Sequence, residues 1–219
     1  MQTKITKELM KVIALAIVIV LPLAIRSVEA ANTPQFNQTI NEGTKSVDIV
    51  DAGDVTVVSP SVSFSSANFS FSTQDTTGTL GTASQKIRIS NPTATATWTV
   101  NLAASNPTDA WTSGGNTYDF NDGGGYTDGA DADSIGGQMT VDPSGGILSG
   151  VSGCATTNVN KGASDSFVET TMNSIDLVSG AAGAATFCRW DLTGVSLTQK
   201  VPAGQAAGSY SLDMTLTIS

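Results

Sequence analysis

Apolar and polar residues alternate with a period of two over much of the chain, the spacing typical of β-strands that bury one face. The clearest case is the C-terminus, where apolar side chains occupy one face from Tyr210 to Ile218 and Ser, Asp and Thr occupy the other. The same pattern surrounds Trp98 and Trp190. Weaker alternation runs through Val47 and Ile49, Val55 and Val57, Val62 and Phe64, Phe69 and Phe71, Ile87 and Ile89, Met139 and Val141, and Ile175 and Leu177.

Turn-forming clusters such as residues 51–54 and 91–93 separate these runs. Their spacing predicts an all-β fold, a single β-sandwich of roughly ten short and mostly antiparallel strands. Residues 112–137 are rich in Gly and Asp and predict a long loop between strands. Because no linker rich in Pro or Ser divides the chain, we expect one domain over residues 31–219.

Residues 1–30 have the three parts of a signal peptide. Lys4, Lys7 and Lys11 make a basic start, an apolar run follows, and small residues flank the expected cleavage point after Ala30. The apolar run is about 14 residues, shorter than the roughly 20 that a spanning helix needs, so an uncleaved anchor is the less favoured alternative. We therefore expect an extracellular or cell-surface protein whose mature chain starts at Ala31.

The amino-acid composition argues against several classes of function. The chain has no His, which excludes Ser-His-Asp and Cys-His catalysis and His-ligated zinc. Removing residues 1–30 changes the net charge from −9 to −11, because four of ten basic and two of nineteen acidic residues leave. Such a charge repels phosphate backbones, so we expect no nucleic-acid partner. With Glu42 and Glu169 as the only Glu after the signal, a glycosidase pair is a poor fit. We expect no enzyme activity, with a small extracellular hydrolase as an alternative.

Cys154 and Cys188 are the two cysteines of the chain. An even number in an exported domain predicts a disulfide between them. Cys188 shares a strand face with Trp190, whereas Cys154 lies in a loop-rich stretch. The bond would therefore tie a long loop to the core.

The densest polar cluster lies in residues 119–133, where five Asp and one Asn fall among several glycines. Calcium takes six to eight oxygen ligands of this kind, and the cluster is therefore a candidate calcium site, although the spacing is not that of an EF-hand. Solvated turns are the alternative interpretation, since Asp-Gly pairs are common turn residues. The candidate ligands are Asp119, Asn121, Asp122, Asp128, Asp131 and Asp133.

The three Trp could stack on sugars if they were exposed. Trp98 and Trp190 lie on apolar strand faces and are expected in the core. Trp111 is close to Pro107 and the Gly-rich loop, and it is the candidate exposed aromatic residue.

Two segments resemble the WxL domain, a β-rich module that attaches non-covalently to bacterial cell walls. Residues 95–102 resemble its proximal Trp-x-Leu motif through Trp98 and Val100. Residues 210–218 resemble its distal motif through Tyr210, Met214, Thr215, Leu216 and Ile218, with Leu216 in place of the second Trp. The resemblance implies a structural or adhesive protein at the cell surface whose partners are a cell-wall polymer or other surface proteins.

Residues 201–210 also resemble the final hairpin of secreted fimbrial subunits of the spore coat protein U type. In that family an incomplete sandwich is finished by a strand from the next subunit. The resemblance implies, as an alternative, a pilin-like homo-oligomer. Phe36, Gln38 and Ile40 would be the alternating residues of a donor strand.

Overall fold

The computed structural model describes residues 35–129 and 134–219. The chain divides into two compact units, Met1–Ile40 and Asn41–Ser219. In the first unit the described residues are 35–40, which have no regular secondary structure and leave Phe36 and Ile40 exposed. The signal peptide predicted for residues 1–30 lies outside the described residues.

The second unit is all-β, and the described residues form fourteen strands and no helix. The strands are β1 (Ser46–Val50), β2 (Gln74–Leu80), β3 (Lys86–Asn91), β4 (Trp98–Ala104), β5 (Trp111–Ser113), β6 (Asn116–Tyr118), β7 (Gln138–Asp142), β8 (Ile147–Gly150), β9 (Val159–Lys161), β10 (Asp165–Ser166), β11 (Ser174–Gly180), β12 (Cys188–Thr193), β13 (Val195–Val201) and β14 (Met214–Ile218). None of the described residues belongs to a helix able to cross a membrane.

The strands pair antiparallel in three four-stranded sheets and one hairpin. Sheet I has the order β1-β3-β12-β8, sheet II has β2-β13-β7-β10, and sheet III has β14-β4-β11-β9. The hairpin pairs β5 with β6 and overlaps the first part of the stretch predicted to be one long loop, so that prediction was partly wrong. Gly114 and Gly115 form its turn, and Gly114 has a positive φ of 60°, which glycine adopts without strain.

Sheets I and II continue into each other along their strands. β12 runs into β13 through Gly194, and the pairing partner changes from Ile87 on β3 to Leu80 on β2 across that point. The Gly194 amide donates to the Gly81 carbonyl, and both glycines have positive φ, at 76° and 80°. A side chain at either position would be strained, so glycine permits the irregularity that divides one ladder into two sheets.

The core takes its buried side chains from all three sheets. Trp98 of sheet III and Trp190 of sheet I face each other at 5.2 Å between ring centroids. They are 3% and 0% exposed, which confirms the prediction that both belong to the core. The all-β class is confirmed as well, while the arrangement of the sheets as a single sandwich stays a prediction.

The periodicity predicted some strands that the structure lacks. Residues 62–64 and 69–71 are irregular, and residues 55–57 make an isolated bridge between Thr56 and Val50. Phe69 and Phe71 are 54% and 87% exposed, so they have no core to face. Alternation over only two apolar residues indicates an extended chain. It does not show that another strand pairs with that chain, and strands were therefore predicted where the structure has none.

Candidate functional site

The two segments that resemble WxL motifs are adjacent strands of sheet III. β4 carries Trp98 and Val100, and β14 carries Met214, Leu216 and Ile218. They pair antiparallel, with Val100 opposite Ile218 and Leu102 opposite Leu216. Segments more than a hundred residues apart in the sequence therefore make one continuous surface.

β14 is an edge strand with one apolar face. Met214, Leu216 and Ile218 are half-buried, whereas Thr215 and Thr217 are exposed. Ser219 and Thr99 exchange both backbone hydrogen bonds, at 3.1 and 3.2 Å. Because such pairs alternate along an antiparallel ladder, the amides and carbonyls of Met214, Leu216 and Ile218 point away from β4. In the part of the chain that the structure describes, no backbone group pairs with this edge.

An apolar groove of about 640 Å³ lies beside β14. Its lining is mostly aliphatic and aromatic, with Ser, Thr, Gln and Asp among the remaining residues. Side chains from several strands and loops contribute, including Val47, Ile49, Val57, Val62, Phe64, Leu80, Leu102, Trp111, Met139, Leu197, Tyr210, Leu212, Met214 and Leu216. A concave apolar site bordered by an unpaired strand edge can accept an extended chain as well as a compact ligand.

Trp111 is half-buried in the groove wall, not a freely exposed ring. Its Nε1 donates to Gln199 Oε1 at 2.9 Å, and its ring stacks on Tyr118 at 5.9 Å and meets Phe64 edge-on at 5.2 Å. Burial raises the pKa of Tyr118. The expectation that Trp111 is exposed was therefore partly wrong, because a buried glutamine and two rings hold one side of the indole.

Tyr210, another residue of the distal motif, also lines the groove. Its hydroxyl donates to the Ala206 carbonyl at 2.8 Å and accepts from Gln205 Nε2 at 2.8 Å. Its ring meets Tyr118 edge-on at 5.0 Å. It precedes β14 and makes no strand of its own, since Ser211 forms an isolated bridge to Thr112 instead.

Residues 51–65 are here called the strap, and they contribute to the groove lining through Thr56, Val57, Pro60, Ser61, Val62 and Phe64. The strap begins with a turn in which Asp51 Oδ1 accepts the amides of Gly53 and Val55, at 2.8 and 2.9 Å. Val57 then bonds back to Ile49 of β1 at 2.8 Å. This local turn chemistry fixes the direction in which the chain leaves β1.

A cluster of four charges lies at the start of the strap. Asp191 holds the buried Arg88 through two bonds of 2.7 and 2.9 Å. Asp54 accepts a further bond of 2.7 Å from Arg88 and one of 2.8 Å from Lys86. The Arg88 guanidinium, and then the Lys86 ammonium, lower the pKa of Asp54 to about 2.

This cluster was not predicted from the sequence. Arg88 lies between Ile87 and Ile89, and Asp191 between Trp190 and Leu192, so each has the polar position of an alternating strand. Direct opposition of Arg88 and Asp191 depends on the β3–β12 register. The sequence shows two opposite charges at the polar positions of two strands. It does not show the strand register that places them opposite each other.

The acidic loop has its own hydrogen-bond network. Asp122 is 1% exposed, and its carboxylate accepts the amides of Gly124 at 2.6 Å and Gly129 at 2.9 Å. Asn121 Nδ2 donates to the Pro107 carbonyl at 2.8 Å. Asp119 is also buried, and Asp128 is exposed. Loop amides thus already bind the Asp122 oxygens.

Among the described residues, no three His, Cys, Asp or Glu side chains come together as metal ligands. Asp131 and Asp133 lie outside the described residues. Calcium binding therefore stays a prediction.

The predicted disulfide is confirmed, with Cα atoms of Cys154 and Cys188 5.7 Å apart. It joins the loop after β8 to the start of β12. Nearby, Trp190 Nε1 donates to the Ala155 carbonyl at 2.9 Å. The covalent bond and this hydrogen bond hold the same loop against the core.

Comparisons of the chain with protein-family models, with characterised proteins and with solved structures found no match.

Proposed function

We propose that the chain is a non-enzymatic cell-surface protein with a structural or adhesive role that associates non-covalently with the bacterial cell wall, as the WxL resemblance implies. The observation that supports this most is the pairing of β4 with β14. The two motif-like segments share a sheet, and Leu102, Met214 and Leu216 line one open groove.

The chemistry of the groove favours an uncharged partner. Its lining is mainly apolar, and Trp111 and Tyr210 present partly exposed rings in its wall. Aromatic rings pack on the apolar faces of sugars, while a net charge of −11 after signal removal repels anionic polymers. We therefore expect binding to the glycan and peptide parts of the wall rather than to its anionic chains.

Co-sedimentation with purified cell-wall sacculi tests the proposal. The mature chain should pellet with the sacculi, and Leu216→Asp should abolish pelleting because it places a charge in the groove. Thr217→Asp is the matched control, since it adds the same charge to the same strand on the exposed face. Both variants are first checked for a native melting transition. Failure of the wild type to pellet, or equal losses in both folded variants, would show the proposal to be wrong.

Self-assembly by strand donation is the second candidate function, and the unpaired edge of β14 favours it. The outward backbone groups of Met214, Leu216 and Ile218 could pair with an extended segment. Phe36 and Ile40 are 92% and 86% exposed and have the alternate spacing that such a segment needs.

Analytical ultracentrifugation of the mature chain tests this candidate. Oligomers that disappear in Phe36→Ser with Ile40→Ser, and persist in Gln38→Ser, would support it. A wild type that stays monomeric at high concentration would rule it out.

A further inference from the structure

The middle of the strap makes few backbone hydrogen bonds. Its last residue, Ser65, donates its amide to the Thr77 carbonyl at 2.7 Å, and its hydroxyl accepts from the Thr77 amide at 2.9 Å. Between Val57 and Ser65, within the described part of the chain, the one hydrogen bond of the strap backbone joins the Ser61 amide to Gln85 Oε1 at 2.9 Å. Segments with so few backbone bonds open locally at low free-energy cost.

The strap nevertheless covers apolar surface. Val57, Val62 and Phe64 line the groove. Gly78 of β2 lets the strap lie close, because a Cβ there would be 3.1 Å from Val62 and 3.3 Å from the Phe64 ring. Phe64 also meets Trp111 edge-on. Movement of the strap would therefore uncover Trp111 and widen the groove.

Asp54 adds a charged contact to the start of the strap, beside the turn at Asp51 and the Val57–Ile49 hydrogen bond. Asp54 has a positive φ of 66°, and its carboxylate bonds to Lys86 and Arg88 of β3. Arg88 also donates two separate hydrogen bonds to Asp191, which do not involve Asp54. The strap contact is thus separable from the ion pair that the fold itself needs.

We propose that the strap is a closure over the groove and that Asp54 is its latch, so that release of Asp54 from Lys86 and Arg88 opens the groove to its ligand. This regulation rests on the groove being the binding site proposed above. The Asp54 side chain is 51% exposed. Ion pairs at such sites contribute little and are screened by salt, so the latch can open without unfolding.

Hydrogen exchange of the mature chain, without ligand, tests the latch. In Asp54→Asn, the hydrogen-bonded strap amides of Val57, Ser61 and Ser65 should exchange about two- to fivefold faster, because loss of the exposed ion pairs makes local opening easier. Asp165→Asn is the matched control, because it removes the same charge from an exposed position on β10, outside the groove lining. About 1 M salt should reproduce the faster exchange in the wild type and change Asp54→Asn no further.

Fluorescence quenching by acrylamide gives a second measurement. Trp98 and Trp190 are buried, so quenching reports Trp111 and should increase in Asp54→Asn but not in Asp165→Asn. Unchanged exchange in Asp54→Asn would overturn the latch. Faster exchange that extends to β3 and β12 would also overturn it, because it would show general destabilisation. If the strap opens as expected but no variant binds sacculi, the latch stands and the wall-binding function fails.

Discussion

The disulfide-bonded region and the groove region use the same alternating pattern but differ in how their apolar faces are covered. Around Cys154 and Cys188, Trp98 and Trp190 are covered from both sides and are 3% and 0% exposed. Beside β14, Met214 and Leu216 face a groove and stay half-buried. The difference shows that alternation identifies a strand face that can be buried. Whether that face is buried depends on the other segments of the protein that pack against it.

Truncating one apolar side chain in each region should give the largest difference in stability between the disulfide-bonded region and the groove region. Trp190→Ala should lower the free energy of unfolding by about 3 to 5 kcal/mol, since it removes a fully buried ring and leaves a cavity. Leu216→Ala should lower it by only about 1 kcal/mol, because the half-buried side chain loses less buried area. Urea unfolding of both variants measures the difference. Equal losses would mean that the groove is closed in solution and that the comparison is wrong.

Loss of the disulfide should have the next largest effect. The bond closes a loop with a sequence separation of 34 residues, and its removal should cost about 3 to 4 kcal/mol in the chain-entropy model. The double variant Cys154→Ser with Cys188→Ser is compared with wild type in urea. As a control, a reducing agent should destabilise the wild type and leave the variant unchanged. A wild type indifferent to reduction would contradict the prediction.

The long alternations were enough to predict the all-β class and several strands. β4, β12 and β14 contain alternating apolar residues over at least five positions, and each was found in the structure. β2, with the sequence QDTTGTL, was missed because Thr and Gly dominate it. Its strand character comes from a seven-residue pairing with β13, which only the folded chain provides.

The site was predictable in part. The sequence identified the residues of β4 and β14, but it gave no information on their pairing or on the groove beside them. The groove arises because the strap, three sheets and the segment before β14 meet there, and contacts that distant in sequence leave no local pattern. The disulfide was predictable because each of the two cysteines has a single possible partner within the chain.

Calcium should stabilise the protein if the acidic loop binds it. At a hundredfold excess over the dissociation constant, binding to the folded state alone adds about 2.7 kcal/mol. Melting of the mature wild type is compared in millimolar calcium and in chelator, with Asp131→Ala and Asp133→Ala together as the variant. A calcium shift unchanged in the variant would place the site elsewhere. Identical melting of the wild type in both conditions would exclude the site and leave Asp122 as a purely structural acceptor of loop amides.

The smallest effect on stability is expected from loss of the Asp54 ion pairs. The pH dependence of stability measures it. Arg88 and Lys86 lower the pKa of Asp54 to about 2, below the value of about 3.9 for a free Asp. The stabilisation is therefore present above about pH 4 and is lost as the pH falls through about 2.

Asp142 also has a lowered pKa, chiefly because the Ser144 hydroxyl and amide donate to it, so acid unfolding of the wild type alone does not isolate Asp54. The difference in urea midpoint between wild type and Asp54→Asn does, because Asp142 is common to both. That difference should be small and constant from about pH 7 to pH 5 and should shrink between about pH 4 and pH 2. A difference that persists undiminished at about pH 2 would show that Asp54 holds the strap by its shape and hydrogen bonds rather than by its charge.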